Sequence, residues 1–411
     1  MSPETLAYPF LFLAVFFEAF VLVTFLSKPA KIARARRKSA VLPSVAVIVP
    51  CYNEASTVAG TAESLLALDY PKDKLEIILV DDGSTDATPA AMAKFEGHSQ
   101  VRILRKENGG KHTALNAAIQ MTNAEIIGCL DADSFVEPDA LKEIVPCFED
   151  PKVAAVTAAM SVHKPDNVLR QMQNAEYIFG ITLRHALASV NGLYVTPGPF
   201  SFYRHSILDK VGAFRFGHQT EDMEMALRLQ KKGYKIDNAP YARVYTKAPA
   251  TVGSLIRQRT RWTTGFIRNV LGEYRGLVGN PDYGALGMLV LPIGITAIAS
   301  GIMLFSVSVF DLVRHATQAV SMRAGVPLSY SLAPHASFDW FYFPASFYLL
   351  LAALTISATL TLIVIGKRLS KTPGNLFLGL VSYVFLYGFI APLWLLRAAG
   401  DAMFRRNRAW R

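Results

Sequence analysis

Apolar and polar positions divide the chain into two textures. Four stretches, Tyr8 to Leu26, Leu286 to Phe310, Phe341 to Ile365 and Leu376 to Leu396, are almost unbroken in their hydrophobicity. Each has roughly the 20 residues that a helix needs to cross about 30 Å of hydrocarbon, so each is expected to span a membrane. Between the first and the second, from Ser44 to Asn280, charged residues, glycine and proline recur as in a soluble domain. Its first half has a clear rhythm. Val45-Ala-Val-Ile-Val and Glu76-Ile-Ile-Leu-Val are continuous β-branched runs, the reading of strands buried on both faces, with a helix-like segment from Thr57 to Leu68 between them. Val101 to Leu104 and Glu125 to Leu130 repeat the strand pattern on either side of a helix-prone stretch, His112 to Met121. This predicts a doubly wound α/β sheet whose ligands collect at the carboxyl ends of the strands. The second half is less regular: a long helix from Asn167 to Ser189, a Gly/Pro-broken strand and loop from Leu193 to Tyr203, a helix from Thr220 to Lys232, and an amphipathic interfacial helix from Arg257 to Leu277.

Composition supports the membrane reading, with 52% hydrophobic residues among 411. The first apolar stretch lacks a basic region before it and is followed by the basic run Lys28 to Lys38, so it reads as a retained anchor and not as a cleaved signal peptide. Basic residues that flank a span stay on the cytoplasmic side, which places the large polar region in the cytoplasm of a bacterial-type plasma membrane. The net charge is +10, but the basic residues gather at membrane borders (Lys28 to Lys38, Lys367 and Arg368, Arg405 to Arg411). That distribution points to anionic lipid and not to nucleic acid. Four spans leave the basic tail on the outer side, against the same charge rule, unless one C-terminal stretch is interfacial or another helix lies within Asp311 to Trp340. Cys51, Cys129 and Cys147, an odd number without metal-like spacing, read as buried thiols.

The polar clusters fall at strand ends. Asp131 and Asp133 bracket one small residue, so both carboxylates can converge on a hard cation such as Mg²⁺ or Mn²⁺ that also holds a diphosphate; taken alone, the pair fits a solvated strand-end turn better, and it is the position at a strand end, after a second acidic turn, that favours the cation. Asp81-Asp82-Gly83-Ser84 can hold a nucleobase or ribose, or simply cap a helix. Gly109-Gly110-Lys111 opens a helix, where backbone N–H groups and an ammonium can approach phosphate, or where a loop merely carries a solvated lysine. Thr220-Glu221-Asp222 can supply an N-cap with first-turn acids or a general base. Gln258, Arg261 and Trp262 share a helix face, offering an amide, a guanidinium and an aromatic plane, a set that an interfacial Trp with snorkelling Arg would also produce.

In this order, VPCYNE, DDGST, GGK with ALN, DADS, TED and QRTRW resemble the processive family-2 glycosyltransferases: hyaluronan, chitin and cellulose synthases and poly-N-acetylglucosamine synthase. The segment from Pro197 to Arg204 resembles the Gly-Pro loop of the hyaluronan and chitin enzymes. The resemblance implies a Rossmann-like GT-A domain at residues 44–250, preceded by an anchor at 1–43 and followed by interfacial helices at 251–285 and spans at 286–411. It further implies an inverting, metal-dependent transfer from a UDP-sugar to a polysaccharide, coupled to export, with transfer of one sugar to a lipid or glycolipid as the alternative. Asp222 would be the base, and Asp131 and Asp133 the metal residues. Pro50, Tyr52, Glu54, Asp82, Lys111, Asp131 and Arg261 would lie at the donor. Gly198, Pro199, Glu221, Gln258 and Trp262 would lie at the acceptor.

Overall fold

The computed structural model describes residues 3–27, 42–322, 347–372 and 374–404. The basic run at 28–38, the basic tail at 405–411 and most of the 311–340 segment lie outside them.

The catalytic-candidate region is built on one eight-stranded sheet. Its strands are β1 (Val45–Cys51), β2 (Leu75–Asp82), β3 (Val101–Lys106), β4 (Ile126–Cys129), β5 (Ser134–Val136), β6 (Val153–Val162), β7 (Ser201–Arg204) and β8 (Lys235–Thr246), in the order β3-β2-β1-β4-β7-β6-β8-β5. The β3-β2-β1-β4 half is parallel, as the apolar runs predict. Its residues alternate between two buried faces: Val45, Val47 and Val49 enter one core cluster, and Ala46 and Ile48 the other. Helices α2 (Val58–Leu66), α3 (Thr88–Ala93) and α4 (Lys111–Ile119) connect these strands.

The expected doubly wound sheet is corrected in its other half, which is mixed. β7 runs antiparallel to β4 and β6, β8 returns parallel to β6, and β5 closes the edge antiparallel to β8. Of the expected strand and loop from Leu193 to Tyr203, residues 193–200 are the loop and β7 begins at Ser201. Gly128 has a packing reason on β4, because a Cβ there would strike the ring of Phe202 on β7. The remaining helices of the region are α5 (Ala140–Ile144), α6 (Val168–Ser189), α7 (His205–Val211), α8 (Glu221–Lys231) and α9 (Val252–Arg268). α9 starts five residues before the expected helix and gives way to a π-helical turn, Asn269–Glu273.

Among the described residues, four helices are long and apolar enough to cross a membrane. They are α1 (Pro3–Ser27), α10 (Leu291–Met322), α11 (Phe347–Ser370) and α12 (Phe377–Met403), and the second apolar stretch runs from Leu286 to Ser321. The chain is read as an integral membrane protein on this basis. α6 joins the two textures. Thr182 on α6 donates to the carbonyl of Leu362 on α11 at 2.8 Å, and a Cβ at Gly379 of α12 would lie 2.9 Å from the Gln171 carbonyl. Small residues at these crossings let the helix backbones approach closely.

Candidate active site

The turns after β1 and β2 lock together. Asn53, in a left-handed conformation (φ 56°), donates its N–H to Ser84 Oγ at 3.0 Å and accepts from the Thr85 N–H at 2.9 Å. The Glu54 N–H donates to Thr88 Oγ1 at 2.7 Å. Gly83 (φ +75°) is required here, since a Cβ would stand 2.7 Å from the Asn108 nitrogen. Buried Asp82 is fully engaged by the next loop: its carboxylate accepts from the N–H groups of Gly109 (3.1 Å) and Gly110 (2.8 Å) and from Lys106 Nζ (2.6 Å). The glycine loop that opens α4 is therefore held by the carboxylate at the end of β2.

That loop aims Lys111 at the centre of the site. Lys111 Nζ lies 2.6 Å from Asp131 Oδ1 and 3.2 Å from Glu221 Oε1. Burial opposes its charge, yet Asp131, Glu221 and Asp222 together hold the ammonium well above the ordinary lysine value. Gly198 is pressed against the same group: a Cβ there would meet Lys111 Nζ and stand 2.9 Å from both oxygens of Asp131. Two residues on, fully buried Phe200 sits at φ 60°, a strained conformation held by edge packing on Phe202. The Asp222 carbonyl accepts from Thr196 Oγ1 at 2.8 Å, and the hydroxyl of Tyr203 donates to that same Thr196 oxygen at 2.9 Å. Burial, then the Glu221 charge, lifts Asp222 to about 6 against the pull of Lys111. Burial, then Asp131 and Glu54, lifts Asp133 to about 7. Asp133 accepts from the hydroxyls of Ser134 (3.2 Å) and Thr246 (3.3 Å) and stands beside Asp131; two such carboxylates fit a hard divalent cation that takes its remaining oxygen ligands from substrate and water.

α9 forms the third wall. It opens with a capping box between Thr251 and Ser254. Gln258, Arg261, Trp262 and Gly265 follow at helical spacing on one face, and a Cβ on Gly265 would strike Thr220, so this face looks onto the start of α8. Thr220 is the N-cap position, but its hydroxyl donates to the Gly217 carbonyl (2.6 Å) and accepts from Asn269 Nδ2 (3.1 Å) instead of capping α8. Trp262 is half-buried against the core cluster that also contains Leu130 and Ala132. The guanidinium of Arg259 covers one face of its ring at 4.2 Å and is fixed by Glu176 of α6 at 2.9 Å.

Lys111, Asp131, Gly198, Glu221 and Asp222 are thus brought into one contact network, Asp133 and Glu54 adjoin it, and Gln258, Arg261 and Trp262 lie on the face of α9 that also carries Gly265. Tyr52 and Pro199 sit in turns that border it, and Pro50 lies within β1 beside Val80. Asp82 stands one loop away. Glu176, Thr196 and Asn269 did not emerge from the sequence, and Arg259 and Tyr203, though inside QRTRW and the Pro197 to Arg204 segment, were not singled out. For Glu176 a signal existed, the one acidic residue in the long helix Val168–Ser189.

Residues 43–265 match the family described as Glycosyltransferase like family 2. The poly-beta-1,6-N-acetyl-D-glucosamine synthase of Staphylococcus aureus is 32% identical over 227 residues, which is 54% of this chain and 55% of that protein. Its Staphylococcus epidermidis counterpart is 32% identical over 225 residues, 54% of each. The chain thus aligns with about half the length of these relatives. Among solved structures, a mannosyltransferase from Pyrobaculum calidifontis in complex with GDP-Man and Mn²⁺ has a TM-score of 0.58 at 21% identity, covering 96% of this chain and 99% of that one. The likeness establishes the fold as GT-A with its helical C-terminal part.

Proposed function

The chain belongs to glycosyltransferase family 2, and from that premise we propose that it transfers sugar from a UDP-sugar, on the cytoplasmic face of the membrane, to the end of a growing polysaccharide, with inversion at the anomeric carbon and export of the product. The observation that carries this reading is the convergence of Asp131, Lys111, Glu221 and Asp222 at the strand ends, against a helix that continues towards the membrane spans.

Donor and acceptor would occupy different walls. Asp82 sets the Gly109–Gly110 loop beside the uridine, and Tyr52 and Glu54 border the same groove. Mg²⁺ or Mn²⁺ would be held by Asp131 and Asp133 and, when bound, would neutralise the diphosphate. Lys111 and Arg261 stabilise the charge that develops on the departing UDP, a form of preorganised electrostatics. Asp222 takes the proton from the acceptor hydroxyl as its oxygen attacks the anomeric carbon from the side opposite the leaving group. Its carboxyl is raised towards neutrality, as suits a base at physiological pH. Gly198 and Pro199 narrow the site around the acceptor, with Gln258 and Trp262 beneath its terminal sugar. Purified protein incubated with separate UDP-sugars and either metal, with the product sized, tests the reading. Long chains formed even when acceptor is scarce are expected.

A second reading, transfer of a single sugar to a lipid or glycolipid, is favoured by the small number of candidate spans, four among the described residues. Products confined to one added sugar at every donor concentration would establish it in place of the first.

A further inference from the structure

Among the described residues, Arg204, Arg228 and Arg259 bond acceptors through their guanidinium groups, although the Nε of Arg228 and of Arg259 is left without a partner; half-buried Arg184 differs from them. Arg228 bonds Glu224 and the carbonyls of Val211, Gly212 and Ala213. Arg259 bonds Glu176. Arg204 bonds the carbonyls of Phe148, Val153 and Asp150. Arg184, on α6, has Nε and Nη2 shut off from solvent without a hydrogen-bond partner among the described residues. Two guanidinium nitrogens withdrawn from water without an acceptor are costly, and such a group is seldom retained where it serves nothing. Burial pushes this guanidinium down to about 10, while Tyr177 and Tyr194 pull the other way.

Its placement says what could compensate it. The guanidinium folds back over Gly180, where a Cβ would stand 3.0 Å from Nη1, so the absence of a side chain at 180 makes its seat. Helical spacing puts Gly180 and Tyr177 on the same face of α6, and the Tyr177 ring meets Arg259, which covers Trp262. On the other side Tyr194 packs on Phe266 of α9, and the Phe266 ring would touch a Cβ on Gly294, at the base of α10. The neighbouring face of α6 is already in the span bundle: Ala186 clusters with Val21 of α1 and Leu362 of α11, and Leu183 packs against them. The cation thus stands where α6, α9 and the spans meet, between the sugar-stacking tryptophan and the membrane.

We propose that Arg184, with Tyr177 and Tyr194, forms an anion subsite for the phosphate of a membrane-borne acceptor, holding a lipid phosphate at the junction of α6, α9 and α10 with the sugar-bearing end directed towards Trp262. A guanidinium and two phenols match a phosphate in number and type of donors. Neutral sugar hydroxyls have no need of a buried cation. The proposal rests on the reading that the acceptor meets the site at its membrane-facing wall; it holds whether that acceptor is a primer for a polymer or the target of one transfer.

The test is binding, so it does not depend on which sugar is transferred. Full-length protein in neutral phosphatidylcholine nanodiscs is titrated with a short-chain prenyl phosphate, then with inorganic phosphate and with phosphatidylglycerol vesicles as competitors. Saturable binding of the prenyl phosphate is expected, weakened about tenfold or more in Arg184→Gln and partly recovered in Arg184→Lys, as for the loss of a charge-assisted contact. Displacement by phosphatidylglycerol but not by inorganic phosphate assigns the subsite to lipid headgroups in general, which overturns the acceptor role. Displacement by inorganic phosphate at similar concentration assigns it to free phosphate, with the same consequence. Equal binding by wild type and Arg184→Gln overturns the subsite altogether. Removing an unpaired charge should leave the melting temperature the same or higher. If Arg184→Gln melts earlier, the guanidinium is structural, and Gly180→Ala, which only crowds its seat, then reads the subsite. Absence of turnover with any nucleotide-sugar would instead refute the proposed function and leave this binding result standing.

Discussion

The parallel half of the sheet and the membrane-facing half of the site use opposite means to the same end. In the parallel half, each chemical group sits at most a few residues past a buried strand, and the backbone itself aims it: Asp131 follows β4 by two residues, and Lys111 is the first residue of α4. In the membrane-facing half, groups are aimed by helices that meet from distant parts of the chain. Arg259 is fixed by Glu176 across 83 positions, and Thr220 is joined to Asn269 across 49. The difference teaches that the donor wall is set by local geometry, whereas the acceptor wall depends on how α6, α8 and α9 pack. Substitutions in the first should abolish all chemistry, and those in the second should separate the steps.

The largest effect is expected from Asp133→Asn. With the metal pair broken, both transfer and UDP release without acceptor should fall to background, roughly a thousandfold or more, since a bound cation contributes several kcal/mol of charge stabilisation. The fold should persist, because Asp133 lies at the site and contributes only contacts to Ser134 and Thr246. UDP release with Mn²⁺, with Mg²⁺ and in chelator is the measurement; full wild-type activity in chelator would refute the metal role.

Asp222→Asn lies on the seam between the two walls. It should remove roughly 10²-fold or more of the transfer rate, the usual worth of a general base, with donor affinity nearly unchanged. A collapse of UDP-sugar affinity would move Asp222 to the donor wall and break the comparison.

The same contrast explains what the sequence disclosed. A strand buried on both faces must be continuously apolar, and a strand that ends at a site must end in polar residues, so VIVPCYNE and IILVDDG declare both element and site. CYNE, DDGST and DADS do stand at the ends of β1, β2 and β4, and GGK opens α4, where the pattern puts them. β6, alanine-rich Val153–Val162, is interrupted by Thr157 and Ser161, and its exit, His163-Lys164-Pro165-Asp166, matches none of the motifs that mark the other strand ends. β8 carries Asp237, Asn238 and Arg243 inside a strand, and its partner β6 lies more than 70 residues earlier, so no local pattern reveals the mixed half. Pairs such as Glu176–Arg259 and Gly265–Thr220 exist only once helices have docked. The QRTRW face was legible because spacing on a single helix is local; what it faces was not.

Trp262→Ala should give a smaller and selective loss. If the ring stacks a sugar with an energy like that of base stacking, about 1–3 kcal/mol, elongation falls roughly tenfold or more. UDP release without acceptor should fall far less. Product length against donor hydrolysis is the measurement. Equal loss of both would mean that Trp262 and its Arg259 cover support the fold of the donor wall.

The smallest effect is a displacement on the pH axis, and it probes the seam most finely. Asp222 acts as a base only when ionised, and its carboxyl is raised to about 6 by burial and then by the Glu221 charge, with Lys111 opposing. Transfer should therefore decline as pH falls through about 6. Glu221→Gln removes the first opposing charge and also leaves Lys111, which Glu221 contacts at 3.2 Å, less neutralised. Both consequences favour the ionised form of Asp222, so the acid limb should move to lower pH. Asp133, lifted to about 7 by burial and by Asp131 and Glu54, could produce a limb of its own in the same range. The two are separable: a limb owed to Asp133 retreats to lower pH as Mn²⁺ is raised, because proton and cation compete for one carboxylate, whereas a limb owed to Asp222 stays in place. If the limb follows metal concentration and ignores Glu221→Gln, the titrating group belongs to the donor wall and Asp222 loses its assignment as the base.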